Sequence, residues 1–374
     1  MKYRFEILDI FRGLFAFIVV LYHLKTVFPD SIFLKNEFIA NGYLFVDFFF
    51  VLSGFVVAYN YESKISTYKE FKQFMLKRLL RVYPLHLVML IITLMYVGFR
   101  IMIGFHFKPD AIKLYTVETF FTNLFLLNSI KFPNTIDLSW NYPSWSISAE
   151  VISYMVFATF TLIINKKLNL NYFKIIIWLL ILGISIYWMH SLSNNYFIFF
   201  TYDNGFIRGL IGFFSGVICQ QIFQKLVGKV NGNFLITFTI LEVTAILLII
   251  YFVASGNIFK SFGIIYEFVF LLSILIFSFE KGLLSEKIKK VGFLKEIGKI
   301  SYSIYMTHAL IIIFASILLK RIINKNYILD IMIEFSLLIV IYYTSKWTYK
   351  NVELRFYNIS HKSKVKNYTL NMPT

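Results

Sequence analysis

The sequence predicts an all-α integral membrane protein with about ten transmembrane helices, whose N-terminus and C-terminus both lie in the cytoplasm. Of the 374 residues, 58% are hydrophobic and only 15% are charged, whereas soluble domains carry about 25% charged residues. The mean hydropathy of +0.70 agrees with this composition. Apolar stretches long enough to span a bilayer recur along the chain, and basic residues concentrate in alternate loops. These three observations exclude a water-soluble fold.

The apolar stretches follow one another along nearly the whole chain. Each is about 17 to 25 residues long, the length that a helix needs to cross the hydrocarbon core. They are predicted to begin near Ile10, Phe38, Tyr83, Trp145, Tyr172, Gly205, Phe234, Phe262, Ile300 and Tyr327. About two thirds of the lysines and arginines fall on the side of the N-terminus, so we expect that side to be cytoplasmic. The basic connection at residues 320–325 does not follow this rule.

Two connections are longer than the others. Residues Glu62–Arg81 carry apolar positions at helical spacing with lysines between them, which predicts an amphipathic helix at the cytoplasmic interface. The external segment Gly104–Ser144 contains three prolines and an aromatic run around Trp140. Its stretch Phe120–Leu127 is apolar but too short to span the bilayer, so we expect a re-entrant or capping piece there.

The net charge of +17 does not indicate a nucleic-acid-binding surface, because the basic residues are spread over loops and not clustered on a soluble domain. We expect them to contact membrane lipid. The single cysteine, Cys219, excludes a disulfide framework and a thiol-rich metal site. No metal site is predicted.

Ionisable side chains at membrane depth are costly and usually mark functional sites. The first predicted helix carries Arg12 and His23 about three turns apart, roughly 16 Å along the axis, so the two side chains share one face. This face is a candidate catalytic surface. Alternatively, Arg12 reaches lipid phosphates and His23 is a hydrogen-bonded interior histidine.

The second predicted helix carries Asp47, with Ser53 and Gly54 two turns further along on the same face. Gly54 allows the backbone of a neighbouring helix to approach closely. Asp47 is a candidate for holding a catalytic histidine in its required tautomer. Equally, Asp47 is a candidate structural partner for Arg12 or Arg208.

A basic group, Lys77, Arg78 and Arg81, lies just before Pro84 at the predicted cytoplasmic interface. Guanidinium groups bind phosphates through two parallel hydrogen bonds, so the group is a candidate phosphate-binding site. The alternative is binding of anionic lipid.

Glu150 lies near the start of the fourth predicted helix, about 8 Å below Trp145 and at a depth that His23 can also occupy. A carboxylate and an imidazole at one depth suit general-base chemistry on a hydroxyl group. Alternatively, Glu150 is an acidic residue favoured by the dipole at a helix start.

The ninth predicted helix places Ser301, Tyr305 and His308 on one interior stripe, nearer the cytoplasmic half. These three side chains either belong to the functional site or form a purely structural row of hydrogen bonds.

Taken together, these residues resemble the acyltransferase 3 family, the membrane-bound acyltransferases that modify bacterial surface glycans. Six ordered pieces carry the resemblance across nearly the whole chain. They are Arg12-x10-His23, Phe49-Phe50-x-x-Ser53-Gly54-Phe55, Arg78-x-x-Arg81-x-x-Pro84, Asn141-x-Pro143-x-Trp145-Ser146-Ile147-x-x-Glu150, Arg208-Gly-Leu-x-Gly-Phe-x-x-Gly216 and Ser301-Tyr302-x-x-Tyr305-x-x-His308. Each piece alone is weak, and their common order makes the signal specific.

The resemblance implies a membrane-embedded acyltransferase domain over residues 1–358 and a short basic cytoplasmic tail over residues 359–374, in the bacterial inner membrane. It implies acyl-CoA, most often acetyl-CoA, as the co-substrate from the cytoplasm, and no permanently bound cofactor. The implied acceptor is a hydroxyl of a saccharide or lipid-linked glycan that belongs to a surface polysaccharide such as O-antigen, capsule or exopolysaccharide.

The resemblance also assigns roles to individual positions. His23 is expected to be the general base, either for direct attack by the acceptor or in forming an acyl-enzyme, with Asp47 or Glu150 polarising it. The residues expected to bind the donor are Arg12, Arg78, Arg81, Ser53, Tyr302 and His308. Those expected to bind the acceptor are Trp140, Asn141 and Trp145.

The chain departs from the family pattern in two places. The family often ends its last helix with Glu-x-Pro, whereas Glu353 is followed by Leu354 and Arg355, which leaves the role of Glu353 open. The extracellular hydrolase-like domain that some members append is not expected here. The alternative class is a secondary transporter or flippase for an envelope glycan precursor, although the inverted repeats typical of transporters are not visible. A non-catalytic scaffold for glycan export is a third possibility.

Overall fold

The computed structural model describes residues 4–104, 113–133, 135–167, 173–193, 200–230, 234–319, 326–356 and 358. Every regular element in these ranges is helical. In chain order the helices are α1 (Glu6–Leu24), α2 (Glu37–Ala40), α3 (Phe45–Tyr61), α4 (Tyr68–Met102), α5 (Val117–Leu124), α6 (Ser144–Lys167), α7 (Lys174–Ser193), α8 (Gly205–Val227), α9 (Leu235–Ala254), α10 (Ile264–Ser278), α11 (Leu283–Ile288), α12 (Gly292–Leu318) and α13 (Tyr327–Thr348). A five-residue π-helical segment, Tyr349–Glu353, follows α13.

Within the described ranges, 9 helices are long and apolar enough to cross a membrane. The all-helical membrane class is therefore confirmed. The stretch predicted to begin at Phe262 forms α10, which has 15 residues. At 1.5 Å per residue this helix is about 22 Å long, less than the roughly 30 Å of hydrocarbon core. The predicted count of about ten spans thus falls to nine full-length helices and one short one. The cytoplasmic placement of the termini stays a prediction.

A helix is present from Tyr68 onward within the predicted interfacial segment Glu62–Arg81, but it does not end before the span that was predicted to begin near Tyr83. Thr67 and Glu70 form a reciprocal capping box, and from there α4 runs without interruption for 35 residues, through Pro84. A proline removes one backbone donor from a helix, but membrane helices tolerate this because neighbouring groups satisfy the freed carbonyl. As a consequence, Arg78 and Arg81 lie within a long helix of the bundle.

Helices α3 and α8 cross at very short distance, as the glycine in the second predicted helix indicated. A Cβ atom built on Gly54 would lie 1.8 Å from the carbonyl oxygen of Phe213, and one built on Gly216 would lie 1.9 Å from that of Val51. Only glycine fits at these two positions. The prediction that Gly54 permits close backbone approach is confirmed, and the contact fixes the height of Ser53 in the bundle.

The first and the twelfth helix make a second close crossing. A Cβ atom on Gly13 would lie 2.6 Å from the backbone nitrogen of Gly298, and one on Gly298 would lie 2.6 Å from the carbonyl oxygen of Asp9. The neighbouring Arg12 therefore reaches the start of α12 directly.

The apolar stretch Phe120–Leu127 falls mostly within α5, which has eight residues and does not span the bilayer. The buried imidazole Nε2 of His86 on α4 lies 2.9 Å from the backbone oxygen of Asn123, near the C-terminal end of α5. This contact holds the short helix against the bundle, as expected for a capping piece.

Candidate active site

A cavity opens between α1, α3, α4, α6 and α12. It comprises about 780 Å³ of space free of atoms, including the part that is open to solvent. Its apolar wall includes Ala16, Val46, Phe49, Phe50, Leu52, Val56, Val82 and Ile147. Its polar lining includes Arg12, Ser53, Arg78, Arg81, Ser146, Glu150, Ser301, Tyr302 and Tyr305. Five of the six residues expected to bind a donor therefore meet here, and His308 is the exception.

Three of the four charged side chains that line the cavity are arginines. The Arg12 Nε donates to the hydroxyl oxygen of Ser301 at 2.8 Å, and its Nη2 lies 3.3 Å from an Asp9 carboxylate oxygen. These contacts tie Arg12 to α12 at the close crossing of the two helices. Its remaining donors can face the cavity.

The other two arginines come from α4. The guanidinium carbon of Arg78 lies 4.9 Å from the ring centroid of Tyr61 and 5.4 Å from that of Tyr154, and its buried Nε has no hydrogen-bond partner among the described residues. Arg81 lines the cavity, and its side chain is exposed. Such donors are available to an anionic ligand.

A hydroxyl and a carboxylate meet in the same cavity. The Ser53 hydroxyl lies 2.5 Å from Oε1 of Glu150 and 3.1 Å from the Tyr154 hydroxyl. The Tyr154 hydroxyl also donates to Oε1 of Glu150. Glu150 therefore faces Ser53 and Tyr154, and no hydrogen bond to His23 is present in the described part of the chain. The expected contact between Glu150 and the histidine is not formed here.

Glu353 lies close to the same cluster. The Ser303 hydroxyl donates to Oε1 of Glu353, which sits at the end of the π-helical segment after α13. Glu353 also interacts electrostatically with Arg81 and Arg12. Short π-helical segments often occur at functional sites. The glutamate thus belongs to the surroundings of the arginines although the proline of the family pattern is missing.

His23 lies outside the cavity lining and next to a second histidine. The ring centroids of His23 and His308 are 5.1 Å apart, and that of Tyr142 is 4.8 Å from His23. Burial raises the pKa of the Tyr142 phenol above its ordinary value, so this hydroxyl stays protonated. The Tyr305 ring borders the cavity and lies 5.9 Å from His308. Tyr305 thus connects the cavity with the histidine pair.

The rings of His308 and His23 are neighbours, so the two side chains lie at one level of the bundle, and the placement of His308 nearer the cytoplasmic half stays a prediction. The helix α12 begins at Gly292, eight residues before the predicted start at Ile300, so His308 lies further along it. The Nδ1 of His308 is 3.2 Å from the carbonyl oxygen of Ile304 and must donate to it. The Nε2 then keeps its lone pair, and it is buried without a partner among the described residues.

Asp47 is engaged by an arginine from α8. The Arg208 Nε and Nη2 donate to the two carboxylate oxygens of Asp47 at 2.6 and 2.8 Å. Both side chains are buried, and the indole of Trp145 lies 5.4 Å from the guanidinium carbon. Glu267 borders the same small cavity as this pair. The geometry corresponds to the structural alternative for Asp47, and its carboxylate is not directed at His23.

The three residues expected to bind an acceptor lie outside the main cavity. The buried Trp140 packs between Tyr115 and Phe120, and its Nε1 donates to Thr119 Oγ1 at 3.1 Å. The Asn141 side chain donates to the backbone oxygen of Met306 at 3.1 Å. Trp145 packs on Arg208, as described above. All three hold the external segment and α6 in place, and their expected role with an acceptor stays a prediction.

Two residues of the site were missed in the sequence. Tyr154 lies one helical turn after Glu150, so i, i+4 spacing placed both on one face of α6. Glu267 is an acidic residue inside an apolar stretch, which is itself a signal of function or pairing. Among the described residues, no group of three or more His, Cys, Asp or Glu side chains is arranged to hold a metal ion.

Comparison with known proteins agrees with this arrangement. The family model for the acyltransferase domain of the acyltransferase 3 family matches residues 5–349. The chain belongs to the acyltransferase 3 family. Acyltransferase MdmB from Streptomyces mycarofaciens is 30% identical over 125 residues, which are 33% of this chain and 30% of that protein. Protein 2 in picA locus from Rhizobium radiobacter is 30% identical over 162 residues, 41% of this chain and 81% of that protein. No solved structure gives a significant match.

The family membership and the apolar helices of the described ranges identify a membrane protein of the acyltransferase 3 family. The chain aligns with less than a third of the length of acyltransferase MdmB, so the acyl donor and the acceptor have to be inferred from the site itself.

Proposed function

We propose that this acyltransferase moves an acyl group, acetyl in particular, from acyl-CoA to a hydroxyl of a bacterial cell-surface polysaccharide such as O-antigen, capsule or exopolysaccharide. The observation that carries the proposal is the cavity inside the helical bundle, where three arginines surround the Ser53 hydroxyl and the Glu150 carboxylate. The enzyme resides in the bacterial inner membrane with its N-terminus in the cytoplasm, which supplies the donor.

The arginines suit the anionic end of the donor. Coenzyme A carries several phosphate groups, and guanidinium groups bind phosphates through charge-assisted, often paired hydrogen bonds. Arg78 lies beside Tyr61, the last residue of α3, and also contacts Tyr154, whose hydroxyl is 3.1 Å from that of Ser53, so this arginine extends from the end of α3 towards Ser53. The apolar wall of the cavity, with Phe49, Phe50 and Val56, fits the less polar arm that carries the thioester. The donor thus enters from the arginine end with its acyl group directed inward.

The histidine pair suits the acceptor step, in which we assign the general base to His23. No hydrogen bond to the His23 imidazole is formed by the described residues, so the ring is available to remove a proton from a hydroxyl. The Nε2 of His308 is buried without a hydrogen-bond partner in the described ranges, and its ring lies 5.1 Å from that of His23, so both imidazoles can meet an acceptor hydroxyl. Asp47 and Glu150 are not assigned the role of orienting His23, because their carboxylates are engaged elsewhere.

The test is acyl transfer from labelled acetyl-CoA to total envelope glycan, in membranes that contain equal amounts of wild type, His23→Ala or His190→Ala. His190 lies exposed on α7 and serves as the matched control. We expect label with wild type and with His190→Ala, and a loss of at least a hundredfold with His23→Ala, the range of general-base catalysis. Equal labelling in all three would remove His23 from the chemistry. No labelling with wild type and several acyl donors would overturn the proposal in favour of a transporter.

A further inference from the structure

The Ser53 hydroxyl has the surroundings of a nucleophile. Its oxygen lies 2.5 Å from a carboxylate oxygen of Glu150, within hydrogen-bond reach. A nucleophilic hydroxyl needs a base within hydrogen-bond reach, and the base needs a third group that orients it. The Tyr154 hydroxyl bonds to the same Glu150 oxygen and supplies this third group.

The position of the pair also differs from that of a purely structural contact. The buried carboxylate of Glu242 provides a structural comparison, since it is closed off by the Ser285 hydroxyl and the backbone amides of Ser285 and Gly282. Ser53 and Glu150, in contrast, are only partly buried and border the cavity. Their reactive atoms are therefore open to a ligand that occupies it.

The arginines next to the pair provide the charge that acyl transfer needs. Arg81 borders the same cavity and interacts electrostatically with Glu150 and Tyr154. The Arg78 guanidinium stacks against Tyr154, and its Nε has no hydrogen-bond partner among the described residues. A tetrahedral oxyanion formed at the thioester carbonyl next to Ser53 is stabilised by this positive charge.

We propose that Ser53 is the nucleophile of a two-step transfer, an inference that rests on the function proposed above. In the first step the Ser53 oxygen attacks the thioester carbonyl carbon, and its proton passes to Glu150. The carbon–sulfur bond breaks, the sulfur takes the electron pair and receives the proton from Glu150, and free CoA leaves. The acyl group is then held on Ser53 as an ester.

The second step returns the serine to its starting state. The acceptor hydroxyl attacks the ester carbonyl, and His23 removes its proton. The bond between the carbonyl carbon and the Ser53 oxygen breaks, and that oxygen takes the electron pair and receives a proton from solvent, to which the cavity is partly open, while His23 returns its proton to solvent. With the acyl group on an internal serine, CoA and the acceptor need not occupy the protein together. A donor from one face of the membrane can therefore serve an acceptor that arrives from the other.

The first experiment is isotope exchange between labelled CoA and acetyl-CoA with purified protein and no acceptor. Exchange requires a reversible first step, and it reports the ester even where the ester does not accumulate. We expect exchange with wild type and with Ser153→Ala, whose hydroxyl bonds to the backbone oxygen of Ala149 away from the cavity. Ser53→Ala abolishes exchange, and Glu150→Gln slows it by at least a hundredfold.

The second experiment locates the acyl group. Protein incubated with labelled acetyl-CoA is denatured in acid, digested and analysed by mass spectrometry for an acetylated peptide that contains Ser53. Acetyl on Ser53 in wild type and not in Glu150→Gln supports the proposal. Transfer to an acceptor that persists in Ser53→Ala, without exchange, overturns the seryl ester and leaves the proposed function intact. An acetyl group found on His23 instead also overturns it. Absence of any transfer by wild type overturns both proposals.

Discussion

Replacing Gly54 by alanine tests how the close crossing of α3 and α8 positions the cavity. The new Cβ atom would lie 1.8 Å from the carbonyl oxygen of Phe213, and ordinary contacts begin near 3.4 Å. The two helices would therefore have to separate locally by roughly 1.6 Å, and close-packed interiors do not absorb such a shift without loss. Because Ser53 is the adjacent residue, the shift moves the hydroxyl relative to Glu150 as well.

We expect Gly54→Ala to cost about 1–3 kcal/mol or more of stability, the usual range for an overpacked core, and to reduce acyl transfer together with it. Gly216→Ala, which meets the carbonyl of Val51 at 1.9 Å, should behave alike. The controls are Gly98→Ala and Gly183→Ala, where the added methyl group meets nothing within 4 Å. These controls should be neutral or stabilising by up to about 1 kcal/mol. The assay is thermal unfolding in detergent with activity measured in parallel. If the Gly54→Ala protein is as stable as the two controls, the close contact between α3 and α8 at Gly54 is refuted.

Three further predictions follow from buried polar contacts. Asp47→Asn or Arg208→Gln alone leaves an unpaired buried charge and should cost about 3–5 kcal/mol, whereas the double variant should recover part of that loss in the same unfolding assay. Glu242→Gln replaces one of the two oxygens that accept from the Gly282 and Ser285 amides by an NH2 donor and should lower stability by about 1–3 kcal/mol, while the KM for acyl-CoA stays unchanged in steady-state kinetics. Arg78→Lys loses the planar fork that stacks on Tyr61 and Tyr154, and steady-state kinetics should show a KM for acyl-CoA raised by roughly tenfold with stability little changed.

The sequence predicted the parts of the fold that depend on local composition. Long apolar stretches identify membrane helices because the hydrocarbon core dictates their length and polarity. The close approach at Gly54 was also predictable, since a glycine on a polar helix face has few other uses. The continuity of α4 through Pro84 was not predictable. Whether a proline breaks a membrane helix or only bends it depends on the hydrogen-bond partners that neighbouring helices provide.

The candidate site was predictable in its residues and less so in its pairings. The rise per residue along the predicted helices placed Glu150 and His23 at a similar depth in the membrane. In the structure, the rotation of α6 about its axis directs the Glu150 side chain to Ser53. For Asp47 the sequence offered two arginines, and only the packing of α3 on α8 selects Arg208. The neighbour of His23 turned out to be His308, because α12 begins earlier than its apolar stretch. Which side chains meet depends on the rotation of each helix about its axis and on its shift along the bundle relative to its neighbours. Neither quantity can be predicted from one helix's sequence alone.

The central claim is that the arginine-lined cavity binds acyl-CoA, and binding of acetyl-CoA to purified protein tests it most directly. Arg81→Gln removes a guanidinium from the cavity, while Arg100→Gln removes one from the far end of the same helix, where it contacts Tyr96. We predict that the dissociation constant rises at least tenfold for Arg81→Gln, as expected for a lost charge-assisted hydrogen bond of about 1.5–3 kcal/mol, and stays at the wild-type value for Arg100→Gln. Equal affinity in all three proteins would contradict the account.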